Sequence, residues 1–164
     1  MNQNNLFPTT LLLAATAADG LLAGASLDQS IKQLPARHRI GVRNYSSYSR
    51  AADLGNGIAF YGILGIGAAA LTIAAAITLY RTGAPARQRR PLNLAAALAI
   101  LHSLMTTQAA PIDFRQRAID LDDTAALTQL FAQFERWQTA RAVLQVLTLG
   151  AMLWAISVHL RAEQ

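Results

Sequence analysis

The chain contains no cysteine and little charge, with Asp, Glu, Lys and Arg together making up 14% of its 164 residues. The first absence excludes disulfides, thiolate metal sites and cysteine nucleophiles, so any chemistry has to come from His, Asp, Tyr, Arg or a bound cofactor. The second sets the chain apart from soluble domains, in which roughly a quarter of residues are charged. A disordered chain is excluded as well, because disorder needs a polar composition and 53% of these residues are hydrophobic.

What the chain has in quantity is long apolar runs. A helix needs about 20 predominantly apolar residues to cross about 30 Å of hydrocarbon, and segments 6–27, 54–80, 91–110 and 142–160 all approach or exceed that length. They take up over half the chain and leave no room for a separate soluble core. Pro8 falls in the first turn of the first segment, Pro91 opens the third and Pro111 closes it, places where a missing N–H does little harm. The expectation is an all-α, integral membrane four-helix bundle forming one transmembrane domain over residues 1–164. Segment 6–27 ends in Ala-Gly-Ala-Ser, which looks like a signal-peptide processing site. Residues 1–10 carry no Lys or Arg, however, and Asp19 interrupts the apolar run, so this helix is expected to be retained.

The net charge of +5 lies between the apolar segments, so it does not argue for nucleic acid. Arg81, Arg87, Arg89 and Arg90 occupy the shortest link with no acid among them. By the positive-inside rule that link is cytoplasmic and both termini are inside, as in a bacterial inner-membrane protein. Lys32, Arg37, Arg39, Arg43 and Arg50 in the first link pull the other way, and suit either anionic headgroups or solvent. Tyr45 and Tyr48 in the same link read as interfacial anchors. In the third link Leu127, Leu130, Phe131, Phe134 and Trp137 recur on one helical stripe after a cap at Asp122 or Asp123. This predicts an additional amphipathic helix at about 124–140, lying at the interface or extending the fourth span. Gly20 and Gly24 form a GxxxG pair, and Gly62, Gly65 and Gly67 give the second span a smooth patch; both favour close helix contacts, within the bundle first and in a homo-oligomer second.

Ionisable groups within a span are costly and are functional candidates by default. Asp19 lies nine residues before Asp28, and His102 nine before Pro111. If both helices end at those positions, each group sits about 13 Å below the same surface at 1.5 Å per residue. Tyr61 is eight residues past Asp53, at about 12 Å by the same count. The three are expected to converge as the catalytic group, with Asp19 orienting His102 as a base; interhelical hydrogen bonding is the structural alternative. Asn56, Gln108 and Gln145 would continue a polar path toward the links. His38 and His159 read as surface groups. No metal-ligand spacing is present, no cofactor is required, and haem would need two of three histidines at different depths.

Pro111-Ile112-Asp113 after the third span, Trp137-Gln-Thr-Ala-Arg141 leading into the fourth, and the small residues Gly20 to Ser26 ahead of Leu34-Pro35 resemble the DUF1772 or anthrone-oxygenase-like family of small four-helix membrane proteins. The layout is similar over nearly the whole chain, although its distinctive residues are few. Asp113 stands where that family more often has Asn, and no His occupies position 138 or 139, where the family often has one. The resemblance implies a membrane-embedded oxygenase that converts an apolar polycyclic or quinol-type molecule to a quinone with molecular oxygen. Arg141 or Arg117 would then stabilise the phenolate, Trp137 would stack on the rings, and Asp113, Asn56 and Gln108 would complete the binding site. Two other classes fit the same residues: a non-catalytic membrane module that binds lipid or a partner protein, and a small proton-coupled exporter working through Asp19.

Overall fold

The computed structural model describes residues 3–162, and they are helical nearly throughout, with no strand among them. Helix α1 (Gln3–Leu27) runs through a π-helical turn (Asp28–Gln33) into α2 (Leu34–Ile40). Gly41, at φ 83°, turns the chain into α3 (Val42–Ala51); that backbone region favours glycine because it has no Cβ. A second π-helical turn (Ala52–Asn56) leads into α4 (Gly57–Arg81). After a short turn come α5 (Ala86–Arg115), a 3₁₀ turn (Gln116–Ala118) and α6 (Thr124–Ala162). Among the described residues, four helical stretches are long and apolar enough to cross a membrane.

Three boundaries differ from expectation. Pro91 and Pro111 lie inside α5 and do not mark its ends. Pro91 is fully buried, and Ala109 and Ile112 on either side of Pro111 pack into an apolar cluster with α3 and α6; this packing holds the helix where one backbone bond is missing. The apolar stripe at 124–140 takes the second of its two expected placements, an extension of the fourth span: α6 continues without a break from Thr124 to Ala162, and a separate amphipathic helix is not shown. α1 does not stop at Asp28, so depth counted from that residue is not depth from a surface.

Two apolar clusters close the ends of the bundle. One joins Leu12 and Ala15 of α1, Ala75 and Leu79 of α4, Leu92 and Ala95 of α5, and Met152 and Ala155 of α6. The other joins Leu34, Tyr45, Ala109, Ile112 and the stripe Leu127, Leu130, Phe131 and Phe134. There the Tyr45 ring meets Phe131 edge-on at 4.9 Å between centroids. Helices α2 and α3 fold over this end as a cap. The cations of the first link go largely to protein: Arg37 pairs with Glu135, Arg43 with Asp122, Lys32 with Asp28, and Arg50 donates to the carbonyls of Gln116 and Ile119.

The glycines divide by function. A Cβ on Gly20 would sit 3.8 Å from Leu149, in ordinary contact with α6, while Gly24, Gly62, Gly65 and Gly67 face open space. The smooth patch of α4 is therefore not a packing face. At Gly57 a Cβ would lie 2.8 Å from the Ala52 carbonyl oxygen, a backbone atom that cannot move without opening the π turn. Gly57→Ala is accordingly expected to destabilise the protein by about 1–3 kcal/mol, and Gly62→Ala by much less. Thermal unfolding of the two variants in the same detergent checks the difference.

Candidate functional site

Between the two apolar clusters lies a layer of buried polar side chains, and beside it a cavity of about 360 Å³. Its walls come from the α1 end and the first π turn, from Asp53 and Leu54 in the second, from the Tyr61 face of α4, from the His102 and Asp113 face of α5, and from Phe134 and Arg141 on α6. Both π-helical turns contribute to it, Gln29 from the first and Asp53 and Leu54 from the second. Such turns displace side chains from the α-helical spiral and recur at functional sites.

The polar head of the cavity is built on α5 and α6. His102 is buried, and its Nε2 lies 2.6 Å from Nε2 of Gln145 and 3.4 Å from Nε of Arg141. Arginine has donors only, which makes His102 Nε2 an acceptor and places the ring proton on Nδ1. Arg141 also donates through Nη1 to Gln138 Oε1 at 2.9 Å, and its Nη2 makes no hydrogen bond to the described protein. Gln138, Arg141 and Gln145 lie at i, i+3 and i+7, on one face of α6.

A second network runs along the cap. Gln116 Nε2 donates to Asp113 Oδ1 at 2.7 Å and to Ser49 Oγ at 3.2 Å, and Ser49 Oγ donates to Asp53 Oδ2 at 2.8 Å. Ser46 Oγ donates to Gln116 Oε1 at 3.3 Å. The two carboxyl groups that face the cavity, Asp53 and Asp113, are thus joined through Gln116 and Ser49. Ser46, Ser49 and Asp53 recur at i, i+3 and i+7. That spacing was visible in the sequence, but it was obscured by the reading of residues 28–53 as a connector.

Four of the candidate residues, His102, Tyr61, Arg141 and Asp113, meet at the cavity. Asp19 does not join them. Its carboxylate accepts from Thr72 Oγ1 at 2.7 Å, and among the described residues no hydrogen bond links it to His102. Its neighbour Gly20 meets Leu149, one turn along α6 from the Gln145 that holds His102, so the two groups occupy different levels. Arg117 donates to the Leu54 carbonyl and lies over the Phe114 ring at 5.7 Å, bracing the second π turn. Trp137 packs against the capping cluster. Asn56 and Gln108 are exposed, and neither lines the cavity. Ser26, Gln29, Asp53, Ser103, Thr106 and Phe134 line it without having been expected to.

Among the described residues no group of three His, Asp or Glu side chains could hold a metal ion. A haem held by two histidines does not fit either: His38 is exposed, and His159, bonded to Thr9, lies 14 residues past Gln145, about 21 Å along α6. Among the described residues, Thr72 gives the buried Asp19 its one side-chain hydrogen bond. Thr72→Val is expected to cost about 1–3 kcal/mol by leaving a buried acceptor without its donor, and Thr72→Ser to cost much less. Unfolding midpoints of both variants test this. No family model, curated protein or solved structure matches this chain, so the cavity's own chemistry carries its functional reading.

Proposed function

We propose that this chain is an integral membrane protein of four spans that binds an apolar phenolic or polycyclic molecule in its cavity and oxidises it with molecular oxygen, as the resemblance to anthrone oxygenases implies. The link bearing Arg81 to Arg90 faces the cytoplasm with both termini, as the positive-inside rule requires, and the cavity lies toward the opposite face. A separate interfacial helix is not needed, because the stripe at 124–140 serves as the capped end of α6.

The observation that carries this reading is a largely apolar cavity in which a guanidinium with an uncommitted Nη2 and a carboxyl group face the same space. Pockets that are mostly apolar with a few convergent polar groups are the usual form of small-molecule sites. The substrate best matched is a ring system with an acidic CH₂ conjugated to a carbonyl. Asp113 takes the proton from that carbon, and Arg141 stabilises the phenolate to which the charge moves. His102, its Nε2 already accepting from Arg141, orients the guanidinium in place of serving as the base. Oxygen then adds to the carbanion, and the hydroperoxide loses water to leave a carbonyl. The CH₂ carbon is oxidised by four electrons and O₂ is reduced by four; one oxygen atom ends in the quinone and one in water. No further reductant is needed.

Oxygen uptake by the purified protein given an anthrone tests the proposal. Wild type is expected to consume one O₂ per anthraquinone formed. Asp113→Asn, which keeps an acceptor for Gln116, should be slower by about a hundredfold or more, the range of a lost general base. Activity that survives in Asp113→Asn and disappears in His102→Gln would move the base to the imidazole. Absence of both uptake and binding would overturn the reading in favour of a lipid- or partner-binding module, or of an exporter if proton-linked efflux disappears with Asp19→Asn.

A further inference from the structure

The cavity is not closed on all sides. On α4 its wall follows Ile58, Gly62, Gly65 and Ile66, and on α5 it follows Ser103, Thr106, Ala110 and Phe114. Both rows recur at helical spacing, so each is one edge of a helix. Several of these lining residues are also on the outside of the molecule: Ile66 is 76% exposed, Phe114 42% and Ile58 40%. A residue that lines a cavity and also faces outward marks an opening. The seam between α4 and α5 is therefore parted over the length from Ile58 to Ile66, about 12 Å at the helical rise. Below that point it closes, where Ala75 and Leu79 pack against Leu92 and Ala95. Gly62 and Gly65 stand in the parted stretch, and a Cβ on either would meet nothing within 4 Å.

The lining is chemically divided. Asp53, Tyr61, His102, Asp113 and Arg141 supply its titratable groups, while Ile58, Gly62, Gly65, Ile66 and the small residues of α5 border the outward opening. In a bilayer the opening faces hydrocarbon, so a chain leaving through it exchanges one apolar surrounding for another at little cost. A chain held inside would have to fit the cavity along with its headgroup.

We infer that the ligand of this cavity carries a hydrocarbon tail: the phenolic head docks at Arg141 and Asp113, and the tail passes out between α4 and α5 into the bilayer, along Gly62 and Gly65. This deepens the proposed function and rests on it, since the head chemistry is taken from that reading. Entry is then lateral, from the membrane.

The test uses the full chain in phospholipid nanodiscs under argon, with two probes: anthrone and the same ring system bearing a decyl chain. Wild type is expected to bind both. Gly65→Phe, which fills the cleft from α4, should weaken the decyl compound at least tenfold and the tailless one less than about twofold; Ser103→Phe does the same from the α5 side. Ile63→Phe, at an exposed α4 position outside the cavity wall, should change neither. Unchanged melting temperatures confirm that the variants fold. The inference is overturned if both filled variants weaken the two probes equally or leave both unchanged, or if wild type binds the tailless ring and rejects the decyl compound. In the last case the head reading stands and the tail does not; if wild type binds neither probe, both fall.

Discussion

A polar side chain placed between apolar helices has to find its partner inside the bundle, because burial without a hydrogen bond costs more than the bond itself returns. The middle of this structure follows from that constraint. α5 and α6 share the most extensive helix interface, and along it His102, Gln138, Arg141 and Gln145 form a connected group that fixes how the two helices face each other. Satisfaction is incomplete: Gln138 Nε2 and Gln145 Oε1 are buried with no partner in the protein.

The cap depends on the same principle applied to charge. Arg37, Arg43 and Arg50 reach across from α2 and α3 to acids and carbonyls on the α5–α6 side, which places a positively charged segment over the end of an apolar bundle. Tyr45 fills the space beneath, against Phe131. With the cap in place Gln116 can bridge α5 to Ser49, and through it the two carboxyl groups at the cavity acquire fixed positions.

The four long helices were legible in the sequence because length and apolarity alone decide them. That His102, Tyr61, Arg141 and Asp113 line one cavity was legible in part for a similar reason: polar groups in or beside apolar runs are few, and each invites a role. Asp19 was misplaced because its depth was counted from Asp28 as a helix end, whereas the backbone runs on through a π turn that polar side chains do not reveal. Asn56 and Gln108 failed through rotation, which composition does not determine; a residue at the right height can still point outward. Trp137 and Arg117 lie outside the cavity wall, since aromatic and cationic side chains serve packing and bracing as readily as binding. The Ser46, Ser49 and Asp53 face shows the reverse case: polar residues at helical spacing form a network within a segment whose charge marks it as a connector.

The two π-helical turns have a consequence for how the chain tolerates change in length. A π turn accommodates more residues than an α-helix over the same axial distance, and the second of these turns is also kinked at Gly55, where φ −91° and ψ −113° leave the helical region. Removing one residue elsewhere in α1 or α4 would rotate everything beyond it by about 100° and turn buried faces outward. Within residues 28–33 or 52–56 the surplus can be given up locally. These two short stretches at the rim of the cavity are therefore where the mouth can be reshaped by insertion or deletion, while the bundle beneath keeps its register.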